Sequence, residues 1–256
     1  MVLFDSHAHY DDKRFDEDRD DVIGALPGFG VAYVLNAASE LKSSQRSLDY
    51  SQKYSHVYAS AGIHPHEAIK ARDGFEAALE SFFGNEKVVA VGEMGLDYHY
   101  DFSPRDVQRD VFIKQLELAK KLKKPIIVHN REAHRDTLDI VKPYAGAIGG
   151  GVFHCFSGGV EIAREVLEMG FYLSFGGAVT FKNARRAAEV IEYMPIDRLL
   201  LETDCPYMTP EPHRGKRNDS SKIILVARKV AEIKKITLDE TASITTDNAK
   251  KLYNIS

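Results

Sequence analysis

The 256-residue sequence predicts an α/β fold, a (β/α)8 or TIM barrel, as a single domain over residues 1–256. Three observations lead there. Eight short runs rich in Val, Ile, Leu and Phe recur along the chain. The runs are mostly continuous rather than alternating, which suits strands covered on both faces, as in parallel sheets. Segments of helical spacing separate them. An open doubly wound sheet is the alternative, and it usually has fewer strands for this length.

The strand expectations, in order, are residues 2–5, 31–36, 57–62, 88–92, 125–129, 151–154, 171–175 and 198–202. Helical expectations between them are 17–26, 43–54, 75–83, 104–123, 133–142, 160–169 and 184–194. The clearest is 104–123, where Val107, Val111, Phe112, Gln115, Leu116, Ala119 and Leu122 fall near one face and Pro104 suits the first turn. The tail reads as two more helices, 220–235 and 238–253. No linker rich in Ser, Pro or Gly divides the chain, and no low-complexity tract interrupts it.

Hydrophobic residues make up 44% and charged residues 28%, which excludes wholesale disorder. The net charge of −4 excludes a bulk cationic field for nucleic acid, so a phosphate-rich substrate needs local basic residues or metal. Two cysteines exclude a disulfide framework and suit a reducing compartment. No targeting segment is visible, and no apolar stretch approaches the roughly 18 residues of a membrane span. The expected location is the cytoplasm, away from membranes, and the expected state a monomer or weak oligomer.

Polar residues collect at the ends of the predicted strands. Asp5-Ser6-His7-Ala8-His9 ends the first, Gly62-Ile63-His64-Pro65-His66 the third, Glu93 the fourth, His129 the fifth and His154 the sixth. Asp204 follows the eighth, after Glu202. These are C-terminal ends, the face where barrel enzymes keep their active sites. Imidazole and carboxylate are ligands for Zn²⁺, Mn²⁺ and related ions. On an extended segment His7 and His9 point to one side and can share an ion. Glu93, His129 and His154 can hold a second, with Glu93 bridging. Two such ions clamp attacking and leaving oxygens and acidify bound water, which suits hydrolysis of esters, amides or phosphodiesters. Taken singly, each residue has an ordinary explanation: strand filler, a helix cap, a satisfied core histidine. Five coinciding at strand ends of one sheet do not.

His64 is expected to face the site, as a substrate-phosphate contact or as support for a ligand, with His66 on the rim. His56, His99, His134 and His213 share no such register. Cys155 and Cys205 follow proposed ligands and read as buried packing residues. No Gly-x-Ser-x-Gly elbow, Walker loop or Rossmann fingerprint is present. Arg131, Lys182, Arg185, Arg186, Arg214, Lys216 and Arg217 lie near the proposed mouth, and Arg131 and Arg214 are candidate substrate-binding residues. Tyr98, Tyr100, Phe102, Phe156, Phe181 and Tyr207 are candidates for stacking on bases.

Six ordered motifs carry a family resemblance. They are Phe4-Asp5-Ser6-His7-Ala8-His9, Gly62-Ile63-His64-Pro65-His66, Gly92-Glu93-Met94-Gly95-Leu96-Asp97-Tyr98, Pro125-Ile126-Ile127-Val128-His129-Asn130-Arg131, His154-Cys155-Phe156-Ser157-Gly158 and Glu202-Thr203-Asp204-Cys205-Pro206-Tyr207. Together they resemble the TatD-like metal-dependent deoxyribonucleases, within the wider amidohydrolase-type barrels. The resemblance implies that His7, His9, Glu93 and Asp204 hold one ion and Glu93, His129 and His154 the other. It implies two divalent ions per chain, Zn, Mg or Mn, and exonuclease action on DNA, at single-stranded or duplex ends. One departure is visible: after Arg214-Gly215-Lys216-Arg217-Asn218-Asp219 the family continues with proline, and here Ser220-Ser221 follow.

The expected catalytic residues are Asp204, as a ligand that also takes a proton from water, Glu93 and His64, with Glu202 supporting from behind. Two other readings compete. One is another metallohydrolase on the same barrel, such as a deacylase of mischarged D-aminoacyl-tRNA or an ester or amide hydrolase. Many of those bridge their metals with a modified lysine, where this chain offers Glu93. The other is a non-catalytic binding barrel, which the intact ligand set disfavours.

Overall fold

The computed structural model describes residues 1–256. Eight strands form one parallel sheet in the order β1 to β8, the arrangement of a (β/α)8 barrel. They are β1 (Leu3–Ala8), β2 (Val31–Asn36), β3 (Val57–Ala61), β4 (Val88–Asp97), β5 (Ile126–Arg131), β6 (Gly151–Phe153), β7 (Tyr172–Phe175) and β8 (Leu199–Leu201). The helices are α1 (Arg19–Ala25), α2 (Leu41–Lys53), α3 (Phe75–Phe82), α4 (Arg105–Leu122), α5 (His134–Val141), α6 (Val160–Glu168), α7 (Arg185–Tyr193), α8 (Ile223–Lys234) and α9 (Leu238–Tyr253). None is long and apolar enough to cross a membrane. The ring closes between β1 and the chain after β8, where the Asp204 amide donates to His7 O at 2.9 Å and the His9 amide to Cys205 O at 2.8 Å.

Strand alternation explains where the site lies. Ile127, Val152, Tyr172 and Leu200, from β5 to β8, belong to one buried cluster with Phe4 of β1 and with Ala249, Leu252 and Tyr253 of α9. Two residues further along the same four segments come His129, His154, Ser174 and Glu202, the next inward-facing layer. The lower layer is apolar and closed by α9; the upper one is polar. The ladder carries past the ends of β6 and β8, because His154 N donates to Val128 O and Glu202 N to Phe175 O, both at 3.1 Å.

The helices follow ordinary rules. α4 buries Val111, Phe112, Leu116 and Ala119 on one face and stops at Lys123, whose φ of 51° breaks the repeat. α9 opens with a capping box between Thr237 and Glu240. In the tail, the expected helix from 220 begins as a single tight turn over Ser220–Lys222, and α8 proper starts at Ile223.

Three strands run past their expected ends, β5 by carrying on from His129 to Arg131. β1 runs on to Ala8, so His7 lies inside it rather than beyond its end. β4 runs to Asp97, placing Glu93 in mid-strand. The sequence misleads because polar residues and two glycines follow Val91. Those glycines allow the strand to continue beside β5: a Cβ on Gly95, which sits at φ +145°, would meet His129 O at 2.0 Å. The register shift between Val91 and Met94 turns Glu93 inward.

Candidate active site

The geometry is built on one carboxylate. Glu93 is buried, and its two oxygens face two different sets of histidines. Oε2 stands 3.1 Å from His7 Nε2 and 3.6 Å from His9 Nε2. Oε1 stands 2.8 Å from both His129 Nδ1 and His154 Nε2, and 3.3 Å from His64 Nε2. Asp204 closes the first set, with Oδ1 at 3.3 Å from His9 Nε2. His7, His9 and Asp204 are close enough to share an ion, and so are His64, Glu93 and His129.

The surrounding groups aim these rings. Ala37 O lies 2.9 Å from His9 Nδ1, and Asp97 Oδ2 lies 3.1 Å from His129 Nε2. Glu202 lies in the same layer as His154, Oε1 accepting from the Cys155 amide at 2.7 Å and Oε2 from the Ser174 hydroxyl. Asp5 accepts from the Thr203 amide at 2.9 Å and its hydroxyl at 2.5 Å, which ties β1 to the segment carrying Asp204. The rings of His7 and His154 stack at 3.9 Å.

Electrostatics follow from burying these groups together. Burial opposes ionisation of Glu93, but His154, His64, His7 and His129 hold its carboxyl well below the usual carboxylate range. Burial likewise presses His9 and His154 down, yet Asp204 and Glu93 carry His9 up to about 10, and Glu93 and Glu202 carry His154 up to about 9. His7 and His64 are each pushed down to about 4, first by burial, with His154 acting against His7 and His129 against His64. Burial raises Glu202 to about 7. The cluster is an anionic centre ringed by nitrogen donors, and its donor set suits borderline-hard divalent ions.

A model of the family described as TatD related DNase matches residues 4–254. The chain belongs to the TatD related DNase family. Among TatD relatives, the uncharacterized metal-dependent hydrolase YabD of Bacillus subtilis (strain 168) is 46% identical over 255 residues, covering 100% of both chains. The 3'-5' ssDNA/RNA exonuclease TatD of Cronobacter sakazakii is 34% identical over 237 residues, covering 90% of this chain and 89% of its own. The crystal structure of YJJV, a TatD homolog from Escherichia coli K12, superposes with a TM-score of 0.93 at 30% identity, covering 99% of this chain and 98% of that one. As a TatD-family protein, the chain is a metal-dependent hydrolase.

The structure brings His7, His9, His64, Glu93, His129, His154 and Asp204 together. It does not bring Arg131 or Arg214 there: both are exposed rim residues, their guanidinium groups 4.7 Å from the Tyr100 ring and 4.3 Å from the Phe181 ring. Cys205 is buried in the main core, but Cys155 is not the fully buried packing residue expected. The expectation assumed extended backbone, whereas Cys155 sits at φ 43° and Asp204 at φ 54°. Cys155 instead lines a cavity of about 780 Å³ with Phe156, Phe175, Phe181 and Met208.

Asp97 escaped the sequence reading. It lies four residues beyond Glu93, an even spacing that marks one face of a strand, but the apolar run that signals the strand stops at Gly92. The missing proline leaves no defect. The Ser220 amide donates to Tyr10 Oη at 3.0 Å, and the Tyr10 hydroxyl donates to Ser220 Oγ at 2.7 Å. Asn218 Nδ2 holds the preceding loop through Thr203 O at 3.0 Å and Tyr207 O at 2.8 Å.

Proposed function

We propose that this chain is a deoxyribonuclease, an exonuclease that hydrolyses DNA phosphodiester bonds at a centre of two divalent ions. The observation that carries the reading is Glu93, whose two oxygens face separate nitrogen sets at 3.1 Å and 2.8 Å. A buried carboxylate so divided fits two ions better than one. His7, His9 and Asp204 would hold one ion and His129 and His154 the other, with Glu93 between them. The relative named as a 3'-5' exonuclease of ssDNA and RNA supports nucleic acid as the substrate class.

Bound there, the ions would supply Lewis acidity toward the phosphate and toward water. The chain's own residues do the rest. His64, buried beside Glu93, donates a hydrogen bond from Nε2 to a nonbridging phosphate oxygen. Asp204, whose Oδ1 stands 3.3 Å from His9 Nε2, takes a proton from the attacking water. Arg131 and Arg214 on the rim bind flanking phosphates without entering the centre.

The test is hydrolysis of an end-labelled single-stranded oligodeoxynucleotide with Mg²⁺, Mn²⁺ or Zn²⁺, each against a chelator. The expected result is a metal-dependent ladder, reduced in Glu93→Gln by roughly a thousandfold or more. Intact oligonucleotide beside metal-dependent turnover of a carboxylic ester or an acylated tRNA would replace this reading with a deacylase.

A further inference from the structure

The loop after β4 carries two aromatic rings into solvent. Tyr100 is 47% exposed and Phe102 63% exposed. A single exposed ring needs no explanation, but these two are stacked on each other, 5.2 Å apart with 22° between planes. The loop that holds them is pinned. Asp97 Oδ1 accepts from the amides of His99 at 3.0 Å and Tyr100 at 2.8 Å. Buried Ser103 donates to His66 O at 3.1 Å, accepts from the Ile69 amide at 3.0 Å, and offers its carbonyl to Gln108 Nε2 at 2.8 Å.

The pair is tied to the cluster through the same carboxylate. While Oδ1 of Asp97 holds the loop, Oδ2 stands 2.9 Å from His66 Nε2 and 3.1 Å from His129 Nε2. The His66 ring lies between, its centroid 4.8 Å from Phe102 and 6.1 Å from His129. Arg131 places a cation 4.7 Å from the Tyr100 ring. Arg131 and Phe102 both lie against Tyr100, so the ring left open is that of Phe102, and an open π-face one ring away from the histidine cluster matches one occupant: an unstacked nucleobase. An acyl or amino-acid group would need an enclosing pocket, and these rings are open.

Resting on the nuclease reading above, we propose that Phe102, backed by Tyr100, forms a stacking platform for one base adjoining the scissile phosphate.

The test compares kcat/KM with Mn²⁺ on an oligothymidylate and on the same oligomer with an abasic residue at each of its last three positions. Wild-type protein is expected to prefer the intact oligomer by about tenfold at one of those positions, mainly through KM. In Phe102→Ala that ratio falls to near one, while Phe102→Trp retains it and so separates stacking from loop damage. Intact cleavage with no abasic penalty at any position, or a penalty that survives in Phe102→Ala, overturns the platform alone. Failure of wild-type protein to cleave any oligomer overturns the nuclease reading and the platform with it.

Discussion

Asp97 Oδ2 stands 3.1 Å from His129 Nε2, and His129 thereby presents its other nitrogen, Nδ1, to Glu93 at 2.8 Å. Asp97 is nearly fully buried, and burial opposes its charge, yet hydrogen bonds from His129 and His66 hold its carboxyl well below the usual carboxylate range. A carboxylate behind a ligand imidazole fixes ring orientation and tautomer. In Asp97→Asn the apparent affinity for Mn²⁺ is expected to fall by roughly 10–100-fold, with much of the activity regained at saturating metal. Metal titrations read by activity and by calorimetry check this. Unchanged affinity would remove Asp97 from any positioning role.

Metal uptake should release protons. Against the downward push of burial, carboxylates carry His9 up to about 10 and His154 up to about 9, so both rings are charged in metal-free protein at pH 7. A ligand imidazole must be neutral, so binding displaces those protons. The raised values also mean that charged His9 and His154 stabilise the metal-free chain fully below the ordinary imidazole value of about 6.5. That contribution is lost as pH rises through about 9 and 10. The rise in Tm on adding Mn²⁺ is therefore expected to grow between pH 6 and pH 9. Calorimetry in two buffers of different ionisation enthalpy counts the protons. A Tm rise that shrinks with pH, or binding without proton release, contradicts the charge state described.

Ser220 stands where the family resemblance implies proline, and it binds Tyr10 twice, at 3.0 Å through its amide and 2.7 Å through its hydroxyl. Both residues are buried. Ser220→Pro removes both the amide that donates to Tyr10 and the hydroxyl that accepts from it, which leaves a buried hydroxyl unpaired at a cost of about 1–3 kcal/mol. Net destabilisation of about 1 kcal/mol or more is expected in urea unfolding. A more stable variant would show that Tyr10 finds another partner.

The barrel was legible because its strands are covered on both faces, so Val31–Asn36 or Ile126–Arg131 reads as unbroken apolar chain up to the polar residues that end it. His129 and His154 were legible for the same reason, standing where such runs stop. β4 was less so. Its upper half, Glu93 to Asp97, is polar and glycine-rich, and the glycines serve the close approach of β5 rather than a turn. Ending that strand early hid Asp97 and the loop that Asp97 anchors. The conformations of Cys155 and Asp204 are not legible, since nothing local signals a positive φ at a non-glycine residue.

The two-ion centre is tested most directly by anomalous scattering from crystals soaked in Mn²⁺. Two peaks about 3.5–4 Å apart are expected, one beside His7, His9 and Asp204 and the other beside His129 and His154, with Glu93 between them. A single peak, or peaks that leave Glu93 without a metal neighbour, would contradict the account.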